Sequence, residues 1–201
     1  DTVLEKSALR SIVAPFEDPR VGAVTGKIRA MNRGSNLLTR ILNIQYVMGT
    51  EFYRSSQSVF GTVMCCAGAL SAYLKTIIDR VVDSWLNQKF LSQQCTYGED
   101  HSLTNSVLRA GSDTVYQRTA IIYTAVPETL REFAKMVTRW NKGYLRESLV
   151  FLSFMLTKYR NRSRVLPVCD FALTFLLLPF QFFILGYAVY CATIDPILVL
   201  R

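Results

Sequence analysis

Leu130, Phe133, Val137, Trp140 and Tyr144 recur at the three-and-four spacing of a single helix face. Arg131, Lys135, Arg139, Lys142 and Arg146 repeat that spacing on a second face about 100° away. An apolar strip beside a cationic one suits a helix lying in the headgroup layer of a bilayer, or an amphipathic helix packed on a domain surface. Leu149 to Leu156 adds a further apolar group. From Phe171 to Ile194 there are 24 residues without Asp, Glu, Lys or Arg. As a helix that run reaches roughly 36 Å, against a hydrocarbon core of about 30 Å, and it predicts a membrane span rather than a buried core helix.

Upstream, shorter periods alternate. Glu5 to Ala14 predicts a helix that ends before Pro15, and Val21 to Thr25 and Ile28 to Met31 predict strands broken by Gly26. Leu37 to Ser55 carries a longer helical spacing, with Leu38, Ile41, Leu42, Tyr46 and Gly49 on one face. The β-branched run Val59 to Cys66 predicts a buried strand. Asp100 to Ala110 reads as a helix stopped by Gly111, and Thr114 to Tyr123 as another strand. Such alternation predicts an α/β domain over residues 1–126. Amphipathic helices at the membrane interface then follow over 127–164, and a transmembrane segment over 165–201.

Charge sharpens this division. The chain carries a net charge of +8. Between Arg131 and Arg164 there are nine basic residues (the five above with Lys158, Arg160, Arg162 and Arg164) against Glu132 and Glu147, which leaves 14 basic against 13 acidic residues elsewhere. A basic block immediately before an apolar span fits the positive-inside rule and places the preceding residues in the cytoplasm. Because the charge adjoins a membrane segment, it argues against nucleic acid as the partner. The five cysteines, Cys65, Cys66, Cys95, Cys169 and Cys191, are odd in number and contain no CxxC pair. They suggest neither a disulfide framework nor a zinc site, and suit a reducing compartment. The chain opens on Asp-Thr-Val-Leu with neither Met nor a signal peptide, which reads as a piece of a longer protein.

Three places offer chemistry. Asp1, followed by Thr2, Val3 and Leu4, presents a carboxylate of the kind that binds a divalent cation, although a solvated terminal Asp fits equally well. In Gly98-Glu99-Asp100-His101 the two acids open a helix, where they can act as helix-terminal charges or supply a base that takes a proton from an attacking hydroxyl. In Thr138-Arg139-Trp140-Asn141-Lys142 a guanidinium can grip a diphosphate and an indole can stack on a sugar ring. An Arg-Trp pair on such a helix can also be a simple interfacial anchor.

The order of these groups and the sequence between them carry a resemblance. Leu37-Leu38-Thr39-Arg40, Gln57-Ser58, Val63-Met64-Cys65-Cys66-Ala67-Gly68 and Asn87-Gln88-Lys89-Phe90-Leu91 resemble the hyaluronan synthases, as do Cys95 to Asn105, Thr114 to Gln117, Arg139-Trp140-Asn141-Lys142 and Arg146-Glu147-Ser148. The rhizobial nodulation chitooligosaccharide synthases are similar across much of the same stretch. The likeness covers about residues 1–150 and is to the processive, inverting branch of glycosyltransferase family 2.

The resemblance implies part of a GT-A domain, a mixed sheet with flanking helices, followed by interfacial and transmembrane helices. It implies a membrane-bound enzyme that polymerises sugars from UDP donors, UDP-GlcNAc with UDP-GlcA or UDP-GlcNAc alone, onto a growing polysaccharide. The cofactor would be Mg2+ or Mn2+, with Asp1 as a metal ligand. Asp100 would be the catalytic base with Glu99 beside it, and Arg139 and Trp140 would close the donor site and meet the acceptor. Val63 to Gly68, including Cys66 and Gly68, would line the acceptor pocket, and Cys95 would lie near the donor. The whole protein would be a multi-pass plasma-membrane protein with its catalytic domain in the cytoplasm, in contact with lipid and not with nucleic acid. Met136, His101, Ala69 and Tyr53 depart from the family's Gln, Arg, Pro and Glu. Those departures suit either a weakened enzyme or a silent member retained for binding or assembly.

Overall fold

The computed structural model describes residues 2–90, 93–94, 97–155 and 165–194. Asp1, Cys95 and the basic residues at 158, 160, 162 and 164 lie outside them. The chain divides into two compact units, Asp1–Ser163 and Arg164–Arg201.

In the first unit, strands β1 (Thr2–Leu4), β2 (Val21–Ala30), β3 (Ser71–Tyr73) and β6 (Asp113–Thr124) form one sheet in the order β1-β6-β2-β3. The central β2/β6 pair is parallel and both edge pairings are antiparallel, so the sheet is mixed, as the sequence predicts. Strands β4 (Lys89–Phe90) and β5 (Gln93–Gln94) pair separately. Nearly every residue of β2 is buried, as expected of a parallel strand covered on both faces. Ile12 of helix α1 (Ala8–Val13) packs with Val21, Val24, Ile28, Ala120 and Ile122. On the other face Ala23 meets Ile77 of α4 (Lys75–Leu86) and Val107 of α5 (Glu99–Arg109). Side chains of a strand alternate between faces, so neighbouring Ala23 and Val24 serve different layers.

Four expectations are corrected. Gly26 does not end a strand. β2 runs through it with a register shift against β6 between Gly26 and Lys27. A Cβ at Gly26 would lie 2.3 Å from Leu70 Cδ2 and 2.6 Å from the Ala120 carbonyl oxygen, so glycine marks a close approach.

Val59 to Cys66 is buried from Gly61 to Met64 but is no strand, apart from an isolated bridge between Thr62 and Thr114. Side chains satisfy its backbone instead. The Met64 amide donates to Gln57 Oε1 at 3.2 Å and the Cys66 amide to Thr104 Oγ1 at 2.9 Å. Val59 itself is exposed, at the end of α3 (Ser55–Val59).

The Leu37–Ser55 helix is composite. Helix α2 (Leu37–Val47) opens on a capping box, in which the Thr39 amide donates to Asn36 Oδ1 at 2.9 Å and the Asn36 amide to Thr39 Oγ1 at 3.1 Å. It passes into a π-helical segment, Met48–Arg54, and Ile41 faces solvent. Lys27 of β2 forms an ion pair with Glu51, and Arg118 Nε lies 3.2 Å from the same carboxylate, so the π-helical segment is tied to the sheet.

From Leu130 to Met155 the chain forms one continuous helix, α6, which packs on α5 and on the sheet end. Phe133 and Met136 join a cluster of Ala30, Leu42 and Val126, whereas Leu130 is exposed. The face of α6 that becomes buried runs through Gly143, Glu147 and Ser148. Asn32 fixes the approach to α6, donating from Nδ2 to the Val126 carbonyl and accepting from the Val126 amide, each at 2.9 Å.

The second unit contains helix α7 (Val165–Ile194), with Pro179 inside it. Its segment Val165–Cys191 is long and apolar enough to cross a membrane.

Candidate active site

The parallel strands β2 and β6 end at Ala30 and Thr124, and a cleft of about 780 Å³ opens beside those carboxyl ends, with Ile28, Thr124 and Ala125 in its wall. This is where open α/β sheets place ligands. The π-helical segment supplies another wall, through Met48, Gly49, Thr50, Tyr53 and Arg54. The turn before β3, the start of α5 and one face of α6 complete it.

Of the residues singled out in the sequence, Glu99, Asp100, Gly68, Arg139 and Trp140 all line this cleft. Asp100 arrives there because α5 precedes β6, so the start of α5 faces the strand ends. Gly98, in the left-handed conformation at φ 77°, forms the turn into α5. The Asp100 carboxylate is held at both oxygens, by the Gly68 amide at 3.2 Å and the His101 amide at 2.8 Å. Backbone donors fix its direction without occupying a side chain. Trp140 is 38% exposed, enough to present a ring face, and packs on Tyr46 at a centroid separation of 6.3 Å.

Cys66 lies beneath the cleft rather than in it, and Cys65 reaches the wall. Burial pushes both thiols up to about 12, so neither is a thiolate at neutral pH. His101 is buried against Tyr144, with ring centroids 5.9 Å apart. Burial lowers its pKa to about 4, Arg146 and Arg54 act in the same direction, and Asp100 opposes them. The ring is therefore neutral at physiological pH and does not suit the part of a protonated acid.

Sequence reasoning missed the contacts that join α6 to α5. Gly98 and Gly143 meet backbone to backbone, since a Cβ at Gly143 would lie 2.9 Å from Gly98 Cα. One turn on, Asn105 Nδ2 donates to Glu147 Oε2 at 2.8 Å and to the Glu147 carbonyl at 3.0 Å. Arg146 Nε donates to Glu147 Oε1 at 2.6 Å, and Glu147 is only 1% exposed. The signal was present: Glu147 falls seven residues after Trp140, on the apolar stripe, where a charge is out of place.

A second, smaller groove of about 440 Å³ adjoins Arg139, bounded by Tyr97, Arg131, Lys135 and Lys142. Among the described residues no group of three or more His, Cys, Asp or Glu could hold a metal ion.

Comparison with known proteins agrees with this geometry. The family described as "Glycosyl transferase family group 2" matches residues 1–200. The hyaluronan synthase of Streptococcus pyogenes is 38% identical over 157 residues, 78% of this chain and 37% of that protein. The N-acetylglucosaminyltransferase of Rhizobium meliloti (strain 1021) is 32% identical over 155 residues, 77% of this chain and 36% of that protein. The chain thus spans little more than a third of the length of these relatives. With the match extending over nearly all its residues, the chain belongs to glycosyl transferase family group 2.

Proposed function

We propose that the protein containing this chain is a membrane-bound, processive, inverting glycosyltransferase that builds a polysaccharide from UDP-sugars, in the manner of hyaluronan synthase. Supporting this most directly is the convergence of Asp100, Arg139 and Trp140 on one cleft, although 39 residues separate Asp100 from Arg139. Asp100 takes the proton of the acceptor hydroxyl as that oxygen attacks the anomeric carbon. The new glycosidic C–O bond forms as the bond from that carbon to the diphosphate breaks, and UDP leaves. Arg139 carries a charge suited to the diphosphate, Trp140 offers a face to a sugar, and Glu99 adds negative charge at the mouth.

Asp1 is the residue the family likeness offers to Mg2+ or Mn2+, and Cys95 the one it places near the donor; both lie outside the described residues. The described residues provide no cluster for a divalent cation, so no step is routed through one. Bound, the cation would neutralise the departing diphosphate. Helix α7 and the basic stripe of α6 suit a protein seated at the plasma membrane with its catalytic domain in the cytoplasm. Nucleic acid has no place in this reading.

The similarity to a rhizobial N-acetylglucosaminyltransferase favours a second reading, a chitin oligosaccharide made from UDP-GlcNAc alone. Membranes bearing the full-length protein, given each labelled UDP-sugar singly and then both together, separate the two. Polymer only with both donors supports the copolymer. Polymer from UDP-GlcNAc alone supports the second reading, and no transfer from any donor refutes both.

A further inference from the structure

The cleft contains a cation that the reaction above leaves unused. Its lining includes two guanidinium groups, Arg139 and Arg54, and Arg139 is assigned to the diphosphate. Arg54 closes the π-helical segment and lies outside every ion pair among the described residues. Its Nη1 is buried without a hydrogen-bond partner. The Tyr116 hydroxyl, from β6, is likewise buried without a partner, and it lies within the electrostatic reach of the same guanidinium. Cys65 feels both Arg54 and Asp100, so cation and carboxylate flank a single thiol in the cleft wall. Tyr53, immediately before Arg54, lines the cleft without adding negative charge.

Two neighbouring buried donors without an acceptor are costly, and the missing partner is an oxygen. A guanidinium fork is shaped for a carboxylate, and a charge-assisted pair is stronger than a neutral one. Resting on the glycosyltransferase reading, we infer that Arg54, supported by Tyr116, binds the carboxylate of a uronosyl residue at the end of the acceptor chain. Arg54 is thus a specificity determinant: it recognises an acceptor ending in a hexuronic acid and aligns it for addition of the neutral sugar. After that addition the terminal sugar no longer carries a carboxylate, so the preference is spent until the next uronate is added.

The test uses the full-length protein in detergent without UDP-sugar, so that nothing turns over. Ligand-observed NMR measures binding of three tetrasaccharides: one of alternating glucuronate and N-acetylglucosamine with glucuronate at the non-reducing end, its uronate methyl ester, and chitotetraose. The wild type is expected to prefer the acid over the ester by about 10-fold or more, the range of a charged hydrogen bond. Arg54→Gln removes that preference and leaves ester and chitotetraose binding unchanged, whereas Arg54→Lys, with charge but no fork, retains part of it. Equal binding of acid and ester by the wild type overturns the inference without any variant, and means that water alone satisfies the two donors. Equal weakening of all three ligands by Arg54→Gln also overturns it, because Arg54 would then merely shape the wall. Polymer formation by a wild type that binds acid and ester equally sinks this inference alone, whereas absence of polymer with every donor sinks the reading beneath it.

Discussion

Replacing Gly143 with Ala probes the contact that sets α6 against the start of α5. The added Cβ would stand 2.9 Å from Gly98 Cα, 3.3 Å from the Gly98 nitrogen and 3.7 Å from the Tyr97 carbonyl carbon. Ordinary carbon contacts lie near 3.5–4.0 Å, so α6 must retreat locally by about 0.5–1 Å. Overpacking of this kind costs about 1–3 kcal/mol, and the gain of Ala over Gly inside a helix returns about 1 kcal/mol. Net destabilisation is therefore small, about 0–2 kcal/mol. Turnover is far more sensitive. Arg139 and Trp140 lie one turn before Gly143 on the same helix, and a displacement of about 1 Å can cost roughly 100-fold in rate. In membranes carrying the full-length protein, Gly143→Ala is expected to cut UDP release and polymer formation about 100-fold while the thermal transition barely moves. Gly34→Ala serves as the control, because a Cβ there meets no atom within 4 Å. Full turnover by Gly143→Ala would refute the idea that this backbone contact positions the Arg-Trp pair. A loss of rate matched by collapse of the fold would refute the separation of the two effects.

Two further outcomes concern the layer behind the cleft. Glu147→Ala leaves Arg146 and Asn105 without their buried partner and is expected to cost about 3–5 kcal/mol in denaturant unfolding, with Glu147→Gln milder because it keeps an acceptor oxygen. His101 is held in the neutral form, with its pKa lowered from 6.5 to about 4. Between those values the unfolded chain takes up a proton that the folded chain refuses, so stability is complete above about pH 6.5 and lost as pH falls. From pH 6.5 to pH 5 the loss attributable to this ring is about 2 kcal/mol, and His101→Gln should flatten the thermal-stability profile over that interval by the same amount. An unchanged profile would contradict the burial account.

The helical and strand segments that build the domain were legible wherever one period ran uninterrupted, as in α5 and β6. Reading failed where tertiary partners replaced local rules. The β-branched run around Val63 has strand composition, yet its amides are taken by Gln57 and Thr104, side chains that no local pattern links to it. Gly26 looked like punctuation because a sequence does not display the Leu70 side chain or Ala120 carbonyl that exclude a Cβ. The site was legible in part. Asp100, Arg139 and Trp140 carry chemistry in their residue types and stood out. Gly143 and Glu147 act through contact, and only the charge interrupting an apolar stripe hinted at them. Arg54 gave no sign, since its interest arises from burial without a partner.

The base assignment is tested most directly by Asp100→Asn in the full-length enzyme, with polymer synthesis and equilibrium binding of UDP-sugar measured on the same preparation. Asn keeps the side chain's size and an acceptor for the Gly68 amide but cannot take the acceptor's proton. Polymer formation is expected to fall by about 100- to 10,000-fold while UDP-sugar binds as before. Product at the wild-type rate would contradict the role given to Asp100, and loss of donor binding in step with activity would place that carboxylate on the wrong substrate.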